Sequence, residues 1–338
     1  MTDARPAVSA VEFAARALGL ARPRRIAITG ASGFVGRSLL DLLNEAALAG
    51  PRIEVTAVSR HPVPEASSRW SGLHLQWAPC DLTSQVPDLP VPELVIHAAS
   101  AAVSASGSSS EERAGTELLI ADGLCEWVAQ SRTAPHVVLV SSGAVYGEQS
   151  KSLLRIAPTA AVDVKSADPY TAAKLAVEQR LIRERDAGSI GLTVARLFAF
   201  LGPNFDRHSH YAFAQFIDEA LGSGVITIRG GGRKIRTYLF EQDMAAWLVT
   251  ALLAGPLPQA INVGSGRAIS LHSLARVVGR LTGADIQTRT VSESQGRQRY
   301  VPDVTSTKAL LGVQEWTPLA RGLQLTIDRW QQTAHQSP

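Results

Sequence analysis

The chain has 338 residues, 45% of them hydrophobic and 19% charged, and a formal net charge of +3. That balance fits an ordinary globular protein with room for two domains, or for one large domain and a lobe. It contains no dense Lys/Arg block to argue for nucleic acid, and no apolar run of membrane length. The two cysteines, Cys80 and Cys125, lack metal-ligand spacing and read as small buried hydrophobes in a reducing compartment. No metal is expected, and the cytoplasm is the expected location.

Residues 1–23 are Ala/Arg-rich with a weak helical stripe (Val11, Phe13, Ala14, Ala17, Leu18). They slightly resemble a transit peptide, but Asp3 and Glu12 count against it, and the segment lacks the apolar core of a secretory signal. A short surface helix or a frayed tail is expected. From residue 24, strands alternate with helices. Strands are expected over 25–29, 53–59, 73–78, 94–98, 136–140 and 192–197, and helices over 38–49, 112–130 and 168–186. This pattern predicts an α/β fold of the Rossmann type, a doubly wound parallel sheet covered on both faces, with ligands at the carboxyl ends of its strands. Beyond residue 200 the pattern loosens. Helices are expected over 212–221, 243–254 and 271–281, with a strand over 225–229 and a turn at Gly230-Gly231-Gly232. The expected organisation is an extension over 1–23, a dinucleotide-binding domain over 24–200 that carries the catalytic residues, and a smaller lobe over 201–338. The lobe mainly binds substrate, with some chain returning to the first domain. The Ser/Ala/Gly stretch 100–110 reads as a loop.

Gly30-x-x-Gly33-x-x-Gly36 follows a strand and opens a helix, the setting a dinucleotide fingerprint requires. Glycine permits a tight turn and close approach of pyrophosphate, and the helix N-terminus offers unpaired N–H groups to the anion. Ser32, Phe34 and Val35 lie in the same turn. An enzyme selective for NAD typically carries an acid at the end of the second strand, on the ribose hydroxyls. Here that strand ends Val58-Ser59-Arg60-His61, and Glu54 lies at its other end. An arginine can pair with a 2′-phosphate and a serine can donate to it, so the sequence leans to NADP, with NAD the alternative. The alternative reading of Arg60 is a solvated loop charge. Asp81-Leu82 ends the third strand, where a carboxylate can take the adenine amino group or cap a helix.

Asp168-Pro169 reads as a helix N-cap followed by proline at the first position. Tyr170 and Lys174 are then i and i+4 on one face. A nearby ammonium favours phenolate and draws the tyrosine pKa down from about 10. The lysine can also hold a ribose hydroxyl. Ser142, at the end of the fifth strand, can donate a hydrogen bond to a substrate oxygen.

With these residues the chain resembles the extended short-chain dehydrogenase/reductases of the nucleotide-sugar epimerase/dehydratase group, over about residues 25–330. The resemblance is carried by TGASGFVG (29–36), VIHAAS (95–100), LVSSGAVYG (139–147), DPYTAAK (168–174), ARLFAFLGP (195–203), RTYLFEQDMA (236–245) and INVGSG (261–266). It implies a catalytic set of Ser142, Tyr170 and Lys174. It implies a cofactor lined by the glycine turn, Arg60, Asp81 and Ala98, Ala99 and Ser100, and a sugar nucleotide bound by Arg236 with Asn204 and with Arg297 or Arg299. It also implies a homodimer through a four-helix bundle. Sugar 4,6-dehydratases of the group carry an Asp-Glu pair just after the position of Ser142. Here those positions are Gly143 and Ala144, which argues against water elimination. Two asparagines common in the group are replaced by Ala199 and Glu112. His208 and His210 precede the first lobe helix and read as exposed loop residues. The expected activity is NADPH-dependent reduction of a 4-keto sugar nucleotide, with an NAD-dependent 4-epimerase as the alternative. Further readings are a small ketone or aldehyde substrate without a nucleotide, and a non-catalytic dinucleotide sensor on the same fold.

Overall fold

A computed structural model describes residues 8–20, 25–48, 50, 52–61, 65–101, 110–147, 153–162, 168–229, 232–289 and 299–334. Arg297, Gly230, Gly231 and all but the ends of the 100–110 loop lie outside the described residues.

Strands β1 (Arg25–Thr29), β2 (Glu54–Ser59), β3 (His74–Pro79), β4 (Leu94–His97), β5 (His136–Ser142) and β6 (Gly191–Leu197) form a sheet in the order β3-β2-β1-β4-β5-β6. A later strand, Ile261–Val263, adds to the β6 edge, and every pairing in this sheet is parallel. The order reverses between β1 and β4, and a crevice opens there beyond the strand ends. Side chains alternate across the sheet as strand geometry requires. Ile26 and Ile28 of β1 face one apolar cluster, and Ala27 faces the other.

Helix α1 (Ala10–Leu20) is the short helix expected here rather than a frayed tail, with one face buried. It packs on α2 (Phe34–Leu48) and on a later helix, Glu241–Ala254. Its buried face is Ala10, Ala14 and Leu18, and Phe13 meets Trp316 at 5.1 Å between ring centroids. A capping box starts it: the Ser9 amide donates to Glu12 Oε2 at 2.8 Å and the Glu12 amide to Ser9 Oγ at 3.1 Å. Small alanines let the helix approach closely, and this makes its stripe faint in sequence.

On the opposite face of the sheet, α3 (Ser110–Val128) and α4 (Pro169–Asp186) pack side by side. Asp168 caps α4 by accepting from the Thr171 amide at 3.0 Å, with Pro169 at the first helical position. A third apolar cluster joins α5 (Ala212–Gly222), the strand Val225–Arg229, Leu271–Thr282 and Leu319–Ala334. Between α5 and the sheet, two short ladders, Phe200–Leu201 with Leu239–Phe240 and Ile235–Arg236 with Ile269–Ser270, carry the chain past the strand ends.

Candidate active site

The crevice at the β1/β4 reversal holds a cavity of about 480 Å³. Gly30, Ser32, Gly33, Phe34 and Val35 line it from the turn into α2, and Ser59, Arg60 and His61 line it from the end of β2. Asp81 and Leu82 follow β3, and Ala98 to Ala101 follow β4. The cradle demands its glycines. Gly30 has φ 71°, and a Cβ there would sit 2.6 Å from the Ala98 carbonyl oxygen. A Cβ on Gly36 would sit 2.4 Å from the Gly30 carbonyl oxygen. Neither backbone neighbour can yield, so the turn stays tight and the α2 N-terminus stays open to an anion.

At the far end of the cavity, Ser32 Oγ and Ser59 Oγ are 2.7 Å apart, and Arg60 and His61 are exposed. Asp81 accepts from the Thr83 amide at 3.0 Å and its hydroxyl at 2.8 Å. Burial works to raise the Asp81 pKa, but the Thr83 hydrogen bonds and the Arg60 charge outweigh it and hold the carboxyl below its ordinary value. Asp81 thus caps a turn and also lines the cavity.

Ala101 also lines a second hollow of about 230 Å³, together with Arg113, Glu117, Asp168 and Tyr170. Tyr170 is 44% exposed, so its phenol is open to a reactant. Lys174 is buried, with Nζ 5.8 Å from the Tyr170 ring centroid. Ser142 ends β5 and caps the short 3-10 turn Gly143–Tyr146, its Oγ accepting from the Ala144 amide at 3.1 Å. The Thr171 hydroxyl reaches the Ala144 carbonyl at 3.5 Å, which joins the start of α4 to the turn after Ser142. Behind them, buried Glu178 of α4 takes Ser141 Oγ at 2.5 Å and Arg196 at 2.7 Å, fixing α4 against β5 and β6.

Sequence reasoning missed Glu117 of α3, which holds Lys174 Nζ at 2.9 Å. Its signal was there: Glu117, Ile120, Ala121 and Leu124 fall at one-face helical spacing, and all four are buried. Sequence reasoning also missed buried His97, whose Nδ1 lies 2.7 Å from Thr29 Oγ1. Burial, then the Lys174 charge, pushes His97 down to about 3, so it is neutral.

Phe198 and Tyr300, also missed, stack at 4.6 Å beside Gly143. A Cβ on Gly143 would sit 2.6 Å from the Tyr300 hydroxyl and 2.7 Å from Phe198. Tyr211, ahead of α5, lies near enough for Tyr170 to act on its phenol: burial first and then Tyr170 raise the Tyr211 pKa. His208 and His210 are both exposed, as expected; His210 stacks on Tyr211 at 4.7 Å and His208 sits 3.8 Å from Asp218.

Arg236 donates to its neighbour's carbonyl, that of Ile235, at 2.8 Å. Arg299 donates to the Leu154 carbonyl at 2.7 Å. Asn204 is not brought to the cofactor cavity. Its amide nitrogen donates to Asp41 at 2.7 Å and Glu241 at 3.0 Å, and its oxygen accepts from Arg69 at 3.0 Å. It lines a different cavity of about 860 Å³ with Arg37 and Asp41. An asparagine after a Gly-Pro turn gave no hint in sequence that buried Glu241 would claim it.

A 3-2-1-4-5-6 parallel sheet, a glycine cradle at its reversal and a Tyr/Lys helix beside it define a Rossmann-type protein built for a dinucleotide. The NAD dependent epimerase/dehydratase family profile matches residues 26–264, and the chain belongs to that family. It is 26% identical to the UDP-glucose 4-epimerase of Mycolicibacterium smegmatis over 313 residues, covering 90% of this chain and 97% of that one. It is 31% identical to UDP-glucuronic acid decarboxylase 1 of Xenopus tropicalis over 139 residues, covering 41% of this chain and 33% of that one. The first curated relatives are matched over only 33% to 57% of their own length. Among solved structures, MoeE5 in complex with UDP-glucuronic acid and NAD superposes with a TM-score of 0.75 at 23% identity, covering 91% of this chain and 99% of that one. The epimerase Mth375 of Methanothermobacter thermautotrophicus superposes with a TM-score of 0.77 at 19% identity, covering 96% and 97%.

Proposed function

We propose that the protein is an NADPH-dependent reductase of a nucleotide-bound 4-keto sugar. The observation that carries this reading is the end of β2, where Ser59, Arg60 and His61 line the cavity beside Ser32; the one carboxylate among the described lining residues, Asp81, follows β3 and is held by Thr83. A guanidinium and two hydroxyls suit a 2′-phosphate, and an acid there would repel it. The cradle fits a dinucleotide, since Gly30 and Gly36, where any Cβ would strike the neighbouring backbone, keep the turn tight at the N-terminus of α2.

When bound, the nicotinamide supplies hydride to the keto carbon. Tyr170 gives its phenolic proton to the carbonyl oxygen, and Lys174 electrostatically favours that loss. The Ser142 hydroxyl donates a hydrogen bond to the same oxygen as charge develops on it. Arg236 pairs with the sugar-nucleotide diphosphate, and the partner nucleotide is expected to be uridine-linked, as in the relatives. Gly143 and Ala144 carry no acid–base pair, and Phe198 and Tyr300 fill the space that a side chain on Gly143 would take. This disfavours elimination of water. A homodimer packed through α3 and α4 belongs to the same reading.

A second reading, 4-epimerisation with retained NAD, is favoured by the near full-length similarity to the mycobacterial epimerase. Purified protein separates the two. The reductase should bind NADPH more tightly than NADH, and Arg60→Ala should weaken NADPH about tenfold or more while sparing NADH. Protein that retains NAD tightly and never consumes NADPH overturns the reductase reading. An unchanged Michaelis constant in Arg236→Ala would point to a substrate without a diphosphate.

A further inference from the structure

The ammonium beside the proposed proton donor is matched by a carboxylate that the sequence motifs do not contain. Lys174 and Glu117 are 6% and 4% exposed, and Nζ meets Oε2 at 2.9 Å. Lys174 also donates to Ser100 Oγ at 3.0 Å. Ser100 Oγ in turn donates to Glu117 Oε1, and the Ala101 amide donates to the same oxygen at 3.1 Å. Both carboxylate oxygens are engaged. Two of the three ammonium hydrogens are committed, which leaves one for Tyr170 or a ribose hydroxyl. The clamp ties α3, α4 and the segment after β4 together at the lip of the cofactor cavity.

Among the described residues, the other charged or titratable groups around the pair do not duplicate Glu117. Asp168, which lines the same hollow, is taken by the Thr171 amide and hydroxyl, each at 3.0 Å, and Tyr211, whose phenol lies near Tyr170, carries no negative charge while protonated. His97, from β4, is neutral and engaged with Thr29. Glu178, one turn further along α4, is taken by Arg196 of β6 and by Ser141. Arg113, one turn before Glu117 on α3, lines the hollow beneath Tyr170 and adds positive charge.

We propose that Glu117 is a positioning residue: its carboxylate keeps the Lys174 ammonium charged and aimed, and so sets the pH at which the Tyr170–Lys174 pair gives up its first proton. A buried ammonium with no counter-charge loses its proton readily, since burial disfavours the charged form. Removing a negative charge in direct contact favours deprotonation of the lysine and of the nearby phenol alike. The first step of the coupled pair therefore falls, whichever residue loses the proton. In the reductive direction the competent form carries both protons, so this step ends activity at high pH.

The inference rests on the reading of Tyr170 as proton donor, and its tests are chosen to fail separately from that reading. In Glu117→Gln, the high-pH limb of kcat/KM for NADPH-driven reduction should move down by about one pH unit or more. Glu117→Asp, which keeps the charge, should hold the limb near its original position. A folded, cofactor-binding Glu117→Gln protein with an unmoved limb overturns the proposal. A second measurement needs no substrate. In protein labelled with ¹³C-lysine, the ε-methylene of Lys174, assigned with Lys174→Arg, should report loss of the ammonium at a pH about one unit or more lower in Glu117→Gln than in the parent. A transition that does not move refutes the inference. Failure to reduce any nucleotide sugar would sink the enzymatic reading and leave the lysine titration to decide the role of Glu117.

Discussion

Placing a side chain at Gly143 is the sharpest test of the proposal that this site is not shaped for elimination. In Gly143→Ala the new Cβ would lie 2.6 Å from the Tyr300 hydroxyl and 2.7 Å and 2.8 Å from two Phe198 ring carbons, well inside contact distance. Relief requires those rings to move, and Phe198 is boxed in. It stacks on Tyr300 at 4.6 Å on one side and meets Tyr146 at 6.2 Å on the other. Tyr146 is fully buried and donates to Asn262 at 2.7 Å. One methyl group should therefore cost about 1–3 kcal/mol, the range for overpacking a well-filled site. Asp at the same position should cost more, since it adds a charge beside two aromatic rings. Tyr300→Ala removes the nearer obstacle, so the double variant Gly143→Ala/Tyr300→Ala should be more stable than the two single effects summed, with a coupling of about 1 kcal/mol or more. Denaturant melts of the four proteins give that coupling. Additive effects, or a Gly143→Ala protein as stable as the parent, would refute the argument that packing closes this position to an acid.

Three further outcomes are expected. Tyr170→Phe should lower reductive turnover by about 10²–10⁴-fold while NADPH affinity stays within a factor of two or so, because the phenol is exposed and its loss leaves no cavity; a sensor would lose nothing in a binding assay and has no turnover to lose. Ser9→Ala should cost about 1 kcal/mol in a denaturant melt, since it removes the cap from α1; no loss would mean that α1 does not share the cooperative fold. Burial, only partly opposed by the Asn204 hydrogen bond and the Arg69 and Arg37 charges, pushes the Glu241 carboxyl up to about 8. An acid with a raised folded pKa stabilises fully below its unfolded value, and that contribution is lost as pH rises to about 8, at no more than about 1.4 kcal/mol per pH unit. Melting curves from pH 5 to 9 should show Glu241→Gln gaining on the parent as pH rises, and a gap of constant size would contradict the buried-acid assignment.

The parallel sheet and its helices were legible because their signals are local. Apolar runs such as Val137–Val140 end in small polar residues, and Asp168-Pro169 announces the helix that follows. The glycine cradle was legible because its spacing reflects backbone geometry that no other residue tolerates. What stayed hidden depends on which distant side chain fills a given space. Arg60 reads the same whether it meets a phosphate or water, and Asn204 looks available for substrate until Asp41, Glu241 and Arg69 are seen to use its amide. Helix α1 was underread because alanine carries little hydrophobic signal, yet it permits the closest approach of two helices, as buried Ala10 and Ala14 do here. The same reasoning bears on Glu117. A carboxylate on the inward face of an apolar helix is costly unless something compensates it, so its presence in α3 implies a buried cation nearby. The sequence offers few lysines to fill that role, and Lys174 sits on the helix that packs against α3. The cost of burying Glu117 is thus itself an argument that the ammonium is meant to stay charged, and a neutral Lys174 would leave that carboxylate without a reason to be there.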